Sequence, residues 1–149
     1  MKLIAALDER RHAYILGYLF CSQFSKPKPV PFMLDTGCST TTIMSDNVTL
    51  LGINCANLNP SSPVQTANGN VVPYVLPEVF LTFDSYGGFL NLRNRFRSIQ
   101  LTEINCHAPT NPQLLTTARI ARAYSLLGMD VLGKFRHWKY NDTRLILKT

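Results

Sequence analysis

The chain has 149 residues, of which 46% are hydrophobic and 16% charged, with a formal net charge of +6. That length fits one domain, residues 1–149, able to bury a core without disulfides or a metal. The composition excludes a disordered chain, and no apolar run approaches membrane length, so no membrane partner is expected.

The start, MKLIAALDERR, offers only five apolar residues in a row before Asp8 and Glu9, too short for a secretory core, so a cytoplasmic location is expected. Cys21, Cys38, Cys55 and Cys106 form no CxxC pair and have no histidine at metal-ligand spacing, so they read as reduced thiols, with no metal site and no cofactor. The positive charge makes nucleic acid a conceivable partner, but it is spread along the chain. Its densest cluster, Arg93, Arg95 and Arg97, falls on one face at strand period and reads as a solvated edge rather than a nucleic-acid stripe.

In chain order, Leu3–Leu7 and His12–Phe20 flank the polar turn 8–11 and predict a hairpin. Ser25–Pro29 is proline-rich and predicts a loop, and Val30–Leu34 a buried strand that runs into Asp35. Thr40–Met44 predicts a further strand. Residues 46–51 predict a short helix capped by Ser45 or Asp46 and stopped by Gly52. Pro63–Leu76 predicts a hairpin turning at Asn68-Gly69 in a type I′ turn, since both central positions need positive φ. Glu78–Phe83 alternates as a strand, Ser85–Gly88 reads as a turn, and the run from Phe89 to Leu101 continues as strand. Cys106–Pro112 reads as a loop, and Leu114–Leu127 fits either a helix or a loop entering a strand. Val131–Phe135 predicts a short helix, and Arg136–Tyr140 with Arg144–Thr149 a closing hairpin. Many short strands, few helices and no βαβ rhythm indicate an all-β fold, a small barrel.

The chemistry concentrates in FMLDTGCSTT, where a hydrophobic strand ends on Asp35 and is followed by Gly37 and a string of hydroxyls. Alone, such a tripeptide is an ordinary strand-to-turn aspartate. Far downstream, however, SLLGMDVLGKF (Ser125–Phe135), with LLGMD at Leu126–Asp130, repeats an apolar strand ending at a glycine, and the hairpin Gln65–Val72 lies between the two. In this order the three stretches resemble the retropepsin-like aspartic proteases, the single-domain relatives of retroviral protease and pepsin, across most of the chain.

The resemblance implies a small closed acid-protease barrel with one or two short helices and a β-hairpin flap. It implies a homodimeric aspartic endopeptidase that cuts polypeptides, with Asp35 as the catalytic residue of each chain. One Asp-Thr-Gly per chain means that a pair of aspartates requires two copies. By the same resemblance Thr36, Gly37, Ser39, Leu127 and Gly128 support the active-site loop. Ala67, Asn68, Gly69 and Asn70 form the flap tip over the substrate, and the N- and C-terminal strands contribute to a dimer sheet. Ser39 and Met129 stand where retroviral relatives commonly carry an acid and an arginine that pair. The alternative function is a non-catalytic peptide- or nucleic-acid-binding module on the same scaffold.

Overall fold

The computed structural model describes residues 1–83 and 98–149. The expected turn at Ser85–Gly88, the beginning of the strand after it and the Arg93, Arg95 and Arg97 stripe lie outside the described residues.

Strands β1 (Lys2–Leu7) and β2 (Ala13–Phe20) form the first hairpin. The Asp8 carboxylate ties its turn by accepting the N–H groups of Arg10 and His12. Strand β3 (Lys28–Leu34) begins earlier than the proline content predicts. Pro29 and Pro31 pair with β2 on a stretch that no strand flanks on the other side, so the missing N–H groups cost no ladder bond. Strand β4 is only Thr42–Ile43, because Thr40 and Thr41 are drawn into a loop.

Helix α1 (Ser45–Leu51) stops at Gly52, whose φ of 71° is left-handed, as its glycine predicts. Its start differs from expectation. Neither Ser45 nor Asp46 caps it, the N-cap position falls on Met44, and the Met44 N–H is held by the Ser125 hydroxyl.

A separate two-stranded sheet, β5 (Val64–Thr66) with β6 (Gly69–Val71), forms the middle hairpin. The type I′ turn at Asn68-Gly69 does not form. Thr66 pairs with Gly69, so Ala67 and Asn68 are the central residues, and the positive φ falls on Gly69 at 108°. The Thr66 hydroxyl explains the shift: it accepts the Asn68 N–H and donates to the Gly69 carbonyl. After a break at Val72-Pro73, β7 (Tyr74–Phe83) runs antiparallel to β8 (Ser98–Cys106). The segment 114–127 resolves into both alternatives, with helix α2 (Thr117–Ala121) followed by β9 (Ser125–Leu127). Helix α3 (Met129–Leu132) starts two residues before the expected one, and β10 (His137–Tyr140) with β11 (Arg144–Lys148) makes the closing hairpin.

The strands β2-β3-β9-β4-β8-β7 return to β2 and close a six-stranded barrel, with β10-β11-β1 as an extension. Strand β2 makes closure possible by changing neighbours: Ala13 and Tyr14 pair with β1, and Gly17–Phe20 with β7. Gly17 marks the switch, since a Cβ there would meet Phe83 at 2.9 Å and Phe32 at 3.0 Å. The core holds Leu19, Val30, Phe32, Ile43, Leu76, Leu81, Ile104 and Leu127. The terminal strands β1 and β11 pair with each other from Lys2↔Lys148 to Ala6↔Arg144, and β10 takes the other edge of β11. Among the described residues no helix is long and apolar enough to cross a membrane. All four cysteines are free.

Candidate active site

Strand β9 enters between β3 and β4, parallel to β3 and antiparallel to β4. The chain joining β3 to β4, residues 35–41, must therefore loop over the end of β9. Asp35 begins this loop. Its N–H continues the ladder to the Leu127 carbonyl at 3.0 Å, its own carbonyl accepts the Cys38 N–H, and its Oδ1 accepts the Gly37 N–H at 2.8 Å. A Cβ on Gly37 would stand 3.1 Å from that oxygen, so a residue without one lets the backbone approach the carboxylate. Asp35 is partly exposed and Thr36 and Gly37 are exposed, so the carboxylate faces outward at the end of a buried strand.

From below, the loop is fastened to Gly128–Asp130. The Met129 N–H donates to the Cys38 carbonyl at 2.8 Å and the Asp130 N–H to the Ser39 carbonyl at 3.1 Å. Gly128 lies so close under the loop that a Cβ would come within 2.7 Å of the Thr40 carbonyl carbon and 2.8 Å of the Thr41 nitrogen. The Asp130 carboxylate takes the Thr41 N–H at 2.9 Å, the Thr41 hydroxyl at 2.6 Å and the Val131 N–H at 2.9 Å. Thr41, fully buried, in turn accepts the Gly128 N–H on its hydroxyl at 3.1 Å. The carboxylate and hydroxyl thus lock the two ends of the cradle together.

The structure brings Asp35, Thr36, Gly37, Ser39, Leu127 and Gly128 into one cluster. Leu127 is a buried core residue that reaches Asp35 through its carbonyl. The hydroxyls of Thr36 and Ser39 have no hydrogen-bond partner among the described residues. Ser39 contributes its carbonyl, while the local side-chain bonds come from Cys38 and Thr42, both to the Thr40 carbonyl at 2.9 Å. Burial raises the pKa of the Cys38 thiol. Met129 is exposed. Ala67, Asn68, Gly69 and Asn70 lie at the exposed tip of the β5–β6 hairpin. Among the described residues no hydrogen bond joins residues 63–72 to the barrel.

Sequence reasoning missed Thr41, and also a buried pair behind it in which Asn47 donates to the Ser125 hydroxyl at 2.9 Å. The available signal was the hydroxyl run 39–42, an excess of donors that calls for a distant carboxylate, and Asp130 supplies it. Among the described residues no cluster of His, Cys, Asp and Glu fits a metal ion.

Residues 23–131 match the model of a protein family described as Aspartyl protease. Among solved structures, the fold is similar to the crystal structure of a retropepsin-like aspartic protease from Rickettsia conorii, with a TM-score of 0.60 and 21% identity over 99% of this chain and 98% of that chain. A comparison with curated proteins finds no match.

Proposed function

Because this chain belongs to the aspartyl protease family and has a retropepsin-like fold, we propose that it is a homodimeric endopeptidase whose active site takes Asp35 from each of two copies. On this reading residues 1–149 act as one protease domain. The observation that carries it is the different employment of the two carboxylates in the cradle. Asp130 is committed to Thr41 and Val131, whereas Asp35 stands at the open end, its Oδ2 without a hydrogen-bond partner among the described residues. A single chain therefore supplies one working carboxylate, and a second copy related by two-fold symmetry supplies the other.

Two carboxylates about 3 Å apart do not both ionise, so the pair shares one proton. The ionised member takes a proton from a water as that water attacks the peptide carbonyl. The protonated member donates to the carbonyl oxygen as it becomes tetrahedral. Water is the nucleophile, and no covalent intermediate with the enzyme arises. The exposed, unpartnered Thr36 hydroxyl is suited to bonding with the loop of the other copy. The β5–β6 hairpin, free of hydrogen bonds to the barrel beyond its stem, is suited to closing over substrate as a flap, with Ala67–Asn70 at its tip. Strand β1 pairs with β11, and β10 takes the other edge of β11, so a dimer sheet built from the terminal strands would use the edges this pairing leaves open.

Asp35→Asn tests the assignment. The variant should keep its thermal transition and its oligomeric state and lose at least about 10³-fold in cleavage of a mixed peptide pool. Undiminished cleavage contradicts the role of Asp35. A stable monomer that binds peptides without cutting them, from acidic to neutral pH, would support the binding-module alternative.

A further inference from the structure

The two faces of the β10-β11-β1 extension differ in kind. On one, Leu3, Ala5, Leu145 and Leu147 are buried, and Trp138 packs against the core. Alternation turns the intervening residues to the other face, and the register sets them in rows. His137, Lys148 and Lys2 lie side by side in one row, and Lys139, Ile146 and Ile4 in the next. Arg144 begins a third, opposite Ala6. Neighbours within a row are about 5 Å apart, and successive rows about 7 Å. The basic side chains of this face are exposed, and Ile4 and Ile146 between them are partly exposed.

No carboxylate stands in these rows. The nearest acids in sequence, Asp8 and Asp142, sit in the turns at the strand ends, and the Asp8 carboxylate already accepts the N–H groups of Arg10 and His12. Lys2, Lys139 and Lys148 have no ion-pair partner among the described residues. Lys2 stands directly opposite Lys148, and like charges so placed repel and cost stability. The sheet thus carries a charge that its own fold does not need and that an anionic partner would compensate. Contact between copies through open strand edges would lie beside this face rather than across it.

We propose that this face docks the protein on an anionic lipid bilayer, with the lysines among the headgroups and Ile4 and Ile146 at the acyl boundary between them. The charge fixes the sign of the partner, and the chemistry of the rows favours lipid over nucleic acid. They hold no Phe, Tyr or Trp ring on which bases could stack. Three of the four Lys and Arg side chains are lysines, compact charges on flexible stems that reach headgroups while the stems lie along apolar surface. The two isoleucines at the centre gain from an apolar medium and nothing from phosphates. Four such cations reach the range of clusters that hold a protein on anionic lipid. The lack of a spanning helix among the described residues bears on crossing a bilayer, not on resting against one. This docking goes beyond the peptidase reading and does not rest on it.

Co-sedimentation compares vesicles of phosphatidylcholine alone with vesicles in which about a third of the lipid is phosphatidylserine. At about 0.1 M salt the protein should bind the anionic vesicles and not the neutral ones, and about 1 M salt should release it. Lys2→Gln with Lys148→Gln should weaken binding about 25-fold, about fivefold for each charge. The thermal transition of that variant should hold or rise, because the repulsion across the strands is gone. Lys139→Gln alone, on the outermost strand, should show the single fivefold step without touching either terminal strand. Ile4→Thr with Ile146→Thr, which keeps β-branching, should also weaken binding about fivefold. Lys26→Gln with Arg122→Gln removes as much charge from exposed sites elsewhere and should leave binding almost unchanged. Equal binding to neutral vesicles, no binding to anionic ones, or equal loss from the two charge-removing pairs overturns the proposal. A duplex oligonucleotide bound more tightly than the vesicles at the same salt, and released by the lysine pair but not by the isoleucine pair, overturns the lipid assignment in favour of nucleic acid.

Discussion

The loop at Asp35 and the hairpin at Ala67–Asn70 are opposite in construction. The loop is bonded on every side: to Leu127 at its start, to Met129 and Asp130 in its middle, and through Thr41 to the Asp130 carboxylate at its end. The hairpin bonds chiefly to itself, joining the barrel near its stem, where the Ser61 N–H meets the Pro73 carbonyl and the Val75 N–H meets the Asn59 carbonyl. Under the proposed function the contrast is a division of labour. A carboxylate that must meet a counterpart within hydrogen-bond reach needs a rigid seat. A segment that must admit and release a peptide belongs at the low-stability end of the structure.

Substitutions that pit these regions against each other sharpen the contrast. Asp130→Ala has the largest expected effect on the fold. It strands the buried Thr41 hydroxyl and two N–H groups, and should cost about 3 kcal/mol, lowering the thermal transition by about 10 °C. A shift within error in differential scanning calorimetry would break the argument that Asp130 is structural. Gly128→Ala comes next. Its methyl would press on the backbone of Thr40 and Thr41, which has little room to yield, so about 2 kcal/mol of destabilisation is expected together with reduced activity. Smallest is Gly69→Ala at the hairpin tip. The site has open space around it but a φ of 108°, so the cost should be about 1 kcal/mol. That cost should appear in local hydrogen exchange of residues 64–71 and leave the thermal transition of the barrel almost unmoved. A loss of global stability as large as that of Gly128→Ala would erase the distinction.

The pattern of legibility follows the same physics. The β1–β2 and β10–β11 hairpins were readable because alternation and turn residues are local signals. The strand leading into Asp35 was readable because Val30 and Phe32 alternate inward. The partnership of Thr41 with Asp130 was not, since it joins residues far apart in sequence and depends on β9 threading between β3 and β4. The hairpin tip moved by one residue because a single hydroxyl, that of Thr66, outweighed the preference of Asn68-Gly69. Pro29 entered a strand because only tertiary pairing decides which edge is left without a neighbour. The residues of the candidate site were thus nameable in advance, while the bonds that hold them were fixed by topology.

The central claim is that one active site draws an Asp35 from each of two chains. Mixing unmutated protein with the Asp35→Asn variant at constant total concentration, after the copies have exchanged, tests it directly by the rate of peptide cleavage. If catalysis requires two intact copies, activity falls as the square of the unmutated fraction, so an equal mixture retains about a quarter of the full rate. Retention of about half, in direct proportion to the unmutated chain, would show that each copy works alone and would contradict the account.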